Sequence, residues 1–151
     1  MCVYQISCGL SEHERVKMSN LSTKRLCEID VGDEVLTPYG SKKVTAIYNK
    51  GVHSCYRLVW NGGVVTKASA NQRFLFCNPV TNQEEWKSVE QVIHLYEQNT
   101  GFLDAVRITP RGKHNRFKLF GISEFRPCVM YDMNVEDVHC FVLANGVVSS
   151  S

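Results

Sequence analysis

Residues 32–51 read GDEVLTPYGSKKVTAIYNKG, and the pattern in this stretch sets the fold class. An apolar pair, Val35-Leu36, runs into the turn-forming Pro38-Tyr39-Gly40. Alternation resumes at Val44, Ala46 and Tyr48 and stops at Gly51. A period of two marks a strand with one buried face, and Pro and Gly punctuate such strands. The following stretch repeats the pattern. In CYRLVWNGGVVTKAS (55–69), Tyr56, Leu58 and Trp60 alternate, Asn61-Gly62-Gly63 supplies a turn, and Val64-Val65 restart, which predicts a hairpin. ANQRFLFCN, DAVRIT, KLFGI, CVMYDMNV and HCFVLANGVV add further short strands, with a sharp turn at Asn145-Gly146 before Val147-Val148.

Helical signals are sparse. In SVEQVIHLYEQN (88–99), Ser88 and Gln91 have capping-box spacing, and Val89, Val92, Ile93 and Tyr96 form one apolar stripe. A second, shorter helix is expected around Ser19 to Cys27. Residues 99–115 are the loosest part of the chain, with Gly101, Thr109-Pro110 and Gly112 among basic residues. The expectation is one mostly-β domain over residues 1–151 with one or two short helices.

Composition narrows the function. Hydrophobic residues make up 44% and charged residues 21%, the balance of a chain that folds around a core. The formal net charge is only +2, from 17 Lys and Arg against 15 Asp and Glu, so nucleic acid is not an expected partner. Arg107, Arg111, Lys113, Arg116 and Lys118 lack an interleaved aromatic set and read as a solvated loop or ribbon. No apolar run approaches the roughly 20 residues that cross a bilayer, and the first residues lack a signal-peptide pattern. The expectation is a monomer without membrane contact.

The seven cysteines are Cys2, Cys8, Cys27, Cys55, Cys77, Cys128 and Cys140, with no CxxC pair among them. That spacing gives no metal signal, and neither metal nor cofactor is expected. The thiols read as reduced, as in the cytoplasm, and mostly as small buried residues. Cys2 stands out because a thiol so close to the start has no folding reason to be there.

Four ordered segments carry a resemblance: the early Cys2; Val31-Gly32-Asp33-Glu34-Val35-Leu36-Thr37; VVTKASANQRFLF (64–76); and VMYDMNVEDVHCFVLANGVVSSS (129–151). In that order they resemble the self-splicing inteins of the Hint superfamily. That family begins with Cys or Ser and has a "VGDEVLT"-like strand, then a Thr-x-x-His element. It closes on a "VYDxxVxxxHxF…NGxxxHN" signature. Tyr131-Asp132, Val135, His139-Cys140-Phe141 and Asn145-Gly146 match the closing signature. The resemblance implies a Hint-type, horseshoe-shaped β fold. Only Cys77 to Pro127 separates the last two blocks, which leaves no room for a homing endonuclease and implies a mini-intein.

The resemblance also implies roles. Cys2 would attack the carbonyl of Met1, the flanking or start residue, turning a peptide bond into a thioester. Ser69 falls at the threonine and would help hold the oxyanion. Gln72 falls at the histidine, where it can donate a hydrogen bond but cannot transfer a proton. Asp132 matches the aspartate that couples the two ends, and His139 the histidine that assists the closing step. Counting from the glycine puts Ser150 at the penultimate histidine and Ser151 at the terminal asparagine. The other register, with Ser149-Ser150 at those positions and Ser151 as the first flanking residue, needs a one-residue deletion. Serine has no carboxamide to cyclise, so the C-terminal step is expected to be disabled. The partners implied are the flanking host segments. Alternatives are a hedgehog-like or bacterial intein-like autoprocessing domain, and a non-catalytic interaction domain of the same fold. Cys140 follows His139 and reads as a core residue, with a disulfide to Cys2 as the competing expectation.

Overall fold

The computed structural model describes residues 9–98 and 103–151. Its strands, in chain order, are β1 (Leu10–Ser11), β2 (Arg15–Lys17), β3 (Thr23–Arg25), β4 (Glu34–Thr37), β5 (Gly40–Trp60), β6 (Val65–Ala68), β7 (Arg73–Cys77) and β8 (Glu84–Ser88). The helix α1 (Val89–Glu97) follows, then β9 (Leu103–Ile108), β10 (His114–Val135), β11 (Cys140–Val142) and β12 (Val148–Ser150). One sheet runs β11-β12-β7-β9-β10-β1-β6-β5-β4, with β8 beside β7, while β2 and β3 form a separate ribbon. The fold is mostly β, as the alternation predicts.

The helix at 88–97 forms as its capping box predicts. The Ser88 hydroxyl accepts from Gln91 N–H at 3.1 Å, and Gln91 Oε1 accepts from Ser88 N–H at 2.8 Å. The helix expected over 19–27 does not form. Asn20 Oδ1 captures Ser22 N–H at 3.0 Å and Leu21 takes a φ of 70°, so the chain turns and enters β3. A short polar side chain that binds its own backbone competes with helix in this way. Only a 3₁₀ turn at Leu26–Glu28 remains of it. Much of the segment read as loose is also regular, because β9 and the start of β10 pair from Leu103↔Leu119 to Ile108↔His114.

Two segments read as several short strands are single long ones. β5 and β10 pair antiparallel from Trp60↔Leu119 to Val44↔Val135. The turn-like residues sit at bulges that bend the ladder without ending it. Arg126 and Pro127 together face Ser54 between the pairs Phe125↔Cys55 and Cys128↔His53. Proline has no N–H to give to a ladder and is tolerated where a bulge leaves a residue unpaired. Likewise Lys50 is the extra residue between Gly51↔Met130 and Asn49↔Tyr131.

The core centres on Trp60, fully buried and stacked on Phe117 with centroids 5.6 Å apart. Its indole N–H donates to Thr66 Oγ1 at 2.9 Å, and Asn145 Nδ2 donates to the same oxygen at 3.1 Å. One buried hydroxyl thus ties the Asn145-Gly146 turn to the centre of the sheet. Gly146 has a φ of 91°, and a Cβ there would lie 2.7 Å from Arg107 Cγ. Only glycine fits both the backbone and the space.

Candidate functional site

The chain between β6 and β7 makes a tight turn, in which Gln72 N–H donates to Ser69 O at 3.2 Å. The first turn of α1 clamps it from the other side. Val89 N–H donates to Gln72 O and Glu90 N–H to Ala70 O, each at 3.0 Å. The free donors that every helix start exposes are spent here on fixing the turn. Ser69 and Gln72 are both buried as a result.

Ser69 grips the incoming N-terminal segment. Its hydroxyl accepts from Gly9 N–H at 3.0 Å, and its own N–H donates to Gly9 O at 2.9 Å. On the other side of Gly9 lies β10. A Cβ at residue 9 would sit 3.0 Å from Met130 Cβ and 3.1 Å from Tyr131 O, so glycine permits this close approach. Leu10 then pairs with both Ala68 and Tyr131. Ser69 and the strand carrying Asp132 therefore flank the backbone that leads in from the N-terminus. Asp132 is half-buried, and burial pushes its carboxyl up to about 6. The Met133 N–H, donating to Oδ1 at 2.8 Å, and the Lys50 charge offset part of that rise. A carboxyl that changes charge near neutrality can pass a proton at working pH. Cys2 and Met1 lie outside the described residues, as does Cys8.

Gln72 points the other way, into the C-terminal strand. Its Nε2 donates to Ser149 Oγ at 2.7 Å and to Ser150 O at 2.9 Å, with Ser150 Oγ at 3.2 Å and Arg73 O at 3.4 Å. Ser149 is fully buried and donates its own hydroxyl to Ser150 O at 3.2 Å. Ser150 pairs with Cys140 across β11–β12, and Ser151 N–H donates to His139 O at 3.0 Å. The Cys140 side chain is buried, which raises its thiol above the ordinary range. The chain end opens on a cavity of about 430 Å³ lined by His139, Cys140, Ser150 and Ser151, with Tyr39, Arg73, Trp86, Asp137 and Val138.

The structure thus gathers Ser69, Gln72, Ser150, Ser151 and His139 around one corner of the sheet, with Asp132 on the strand behind Gly9. The aromatic cavity walls Tyr39 and Trp86 have no functional signal in the sequence, while Gly9 is hinted at only by the small residue directly after Cys8 and Ser149 only by the second register of the serine run. Among the described residues, no group of three or more His, Cys, Asp or Glu side chains is placed to hold a metal ion.

This arrangement, a long antiparallel β5–β10 pair with Gly9 and β12 both bonded to the β6–β7 segment, is the fold of solved inteins. Solved structures make the likeness specific. Over 97% of this chain and all of the other, the gp41-1 intein matches with a TM-score of 0.71 at 17% identity. The DnaB intein from Synechocystis sp. PCC 6803 matches with a TM-score of 0.74 at 19% identity, covering 96% of this chain and 99% of that one. The bacterial intein-like domain from Clostridium thermocellum matches with a TM-score of 0.74 at 14% identity, over 97% and 100%. No protein-family model and no curated protein sequence matches the chain.

Proposed function

We propose that this chain is a self-processing domain that rearranges its own backbone, with its flanking host segments as the only substrate. The carrying observation is the double hydrogen bond between Ser69 and Gly9, which anchors the N-terminal backbone beside a buried hydroxyl and a raised carboxyl. A thiol delivered there attacks the carbonyl of the preceding residue. The C–N bond breaks, a C–S bond forms, and the thiol proton ends on the freed amine.

Chain continuity favours Cys8 over Cys2 as that thiol. Cys8 is bonded directly to Gly9, and consecutive Cα atoms are about 3.8 Å apart. Cys2 stands six residues further away. In this reading the acyl group comes from Ser7, and residues 1–7 belong to the upstream flank. Ser69 and nearby backbone N–H groups receive the oxyanion, and Asp132 supplies or takes the proton that Gln72 cannot. Loss of a positioned general acid costs about 10²–10⁴ in rate, so the step is slow. At the other end neither Ser150 nor Ser151 has the carboxamide that cyclisation requires, and C-terminal release does not occur in the chain as it stands.

The test is a fusion with a reporter ahead of Met1, incubated with a small thiol. The reporter should be released as a thioester of the thiol, ending at Ser7. Cys8→Ala should abolish release and Cys2→Ala should leave it. Release lost only in Cys2→Ala would return the role to Cys2, and release in the double variant would refute the thioester reading. A second reading, an autoprocessing domain that only cleaves its N-terminal bond, is favoured by the likeness to the bacterial intein-like domain and by the absent carboxamide.

A further inference from the structure

Two free cysteines face each other across the long ribbon, on the side of it that the splicing motifs do not use. Cys55 pairs in register with Phe125, and Cys128 with His53, on either side of the bulge where Arg126 and Pro127 together face Ser54. Paired residues share a face, and so do residues two apart on a strand. Cys55, His53, Phe125 and Cys128 therefore point to one side of the ribbon, opposite to the buried Leu58 and Trp60. A bulge bends its strand and adds twist, which draws one diagonal of the ladder together. Here that diagonal is Cys55 to Cys128, and Cys128 acts on the Cys55 thiol through a side-chain contact as well as through its charge. Cys55 is buried and Cys128 half-buried, so a small molecule meets Cys128 first. Pro127, within the bulge, has no N–H to give to the ladder, so a small local shift breaks no bond of its own.

We propose that Cys55 and Cys128 form a reversible thiol–disulfide exchange site, which takes a small-molecule disulfide as its oxidant and staples β5 to β10 at the bulge. The proposal is independent of the self-processing reading. Cys128, as thiolate, attacks one sulfur of the small disulfide; that S–S bond breaks and one small thiolate leaves. The Cys55 thiol then loses its proton and attacks the Cys128 sulfur, forming the protein disulfide and expelling the second small thiol. Two protein thiols are oxidised and one small disulfide is reduced to two thiols, so the electrons balance. Burial pushes the Cys55 thiol up to about 12, which makes ring closure the slow step. Lys67 eases that step, since its charge favours the thiolate. Its ammonium is held on this face 4.2 Å from the centroid of the Phe125 ring. Closing the bond ties two strands that are far apart in the chain, the case in which a cross-link restricts the unfolded state most.

The experiment incubates the full chain with oxidised glutathione, alkylates the remaining thiols, and maps the peptides without reduction. A linked Cys55–Cys128 peptide should form and should vanish after a small thiol is added. In Cys55→Ala, glutathione should stay bound to Cys128; in Cys128→Ser, Cys55 should stay unmodified. The oxidised native chain should unfold at a higher urea concentration than the reduced one, and Cys128→Ser should show no such shift. The mapping is read on the native chain, so it stands even where a variant folds poorly. Stable glutathione on Cys128 of the native chain without ring closure overturns the proposal. So does a native chain in which both thiols are freely alkylated, or one in which Cys55 or Cys128 links to any other cysteine instead.

Discussion

Glu14 links a half-buried carboxyl to stability in a way that pH can read. It lies between β1 and β2 and its Oε2 accepts from Lys67 N–H at 3.2 Å. Burial pushes its carboxyl from 4.5 to about 7, against the smaller opposing effects of that hydrogen bond and of the Lys67 charge. The folded protein therefore keeps a proton on Glu14 that the unfolded chain releases near 4.5. Stability from this group is fully present below 4.5 and is lost as pH rises through about 7. Between about pH 5.5 and 8 the loss integrates to about 2 kcal/mol, or 1–2 kcal/mol when discounted for partial exposure. Asp132, raised to about 6, has the same sign but has lost most of its contribution before pH 7. The perturbation is Glu14→Gln, which keeps an acceptor for Lys67 N–H and removes the titration. Urea unfolding followed by tryptophan fluorescence should show the native protein losing stability from pH 5.5 to 8, and the variant losing distinctly less. An equal fall in both proteins, or a native stability that rises over this range, would refute the assignment.

Other outcomes follow from the same contacts. Thr66→Val removes the oxygen shared by Trp60 and Asn145 and leaves a buried indole N–H without its acceptor. It should cost about 1–3 kcal/mol in chemical denaturation, whereas Thr66→Ser should cost less than half of that. Gly9→Ala forces a Cβ against Met130 and Tyr131 and should slow N-terminal thiol release at least as strongly as it lowers the melting temperature. Ser88→Ala removes the cap of α1 at a cost of about 1 kcal/mol. Because α1 clamps the 69–72 turn, amide exchange at Ser69 and Gln72 should rise in that variant, while exchange at Trp60 should not change.

The sequence by itself determined the local elements and their order. Period-two alternation gave the strands of the β5–β6 hairpin, the Ser88–Gln91 capping box gave α1, and the ordered blocks gave the Hint-type architecture. The first two are short-range properties, written in residues that neighbour one another along the chain, and the third is a resemblance in the order of the blocks. It misjudged residues 19–27 because a helix-compatible composition says nothing about Asn20 turning on its own backbone. It divided β5 and β10 because Gly51 and Pro127 end an isolated strand but only bend one that is paired along its length.

Only tertiary structure decided the site. Ser69, Gln72, Asp132 and His139 could be named from motifs, but motifs carry no direction for a side chain. That Ser69 holds Gly9, some sixty positions away, and that Gln72 turns to Ser149 and Ser150 instead of the N-terminus, are consequences of sheet order. β12 pairs with β7, and β1 lies between β10 and β6, so contacts between distant segments arise only when the whole sheet closes. A one-residue shift in register exchanges the buried and presented faces of a strand. Counting along the serine run gives no strand pairing, whereas in the fold Ser149 pairs with Phe74 and Phe141.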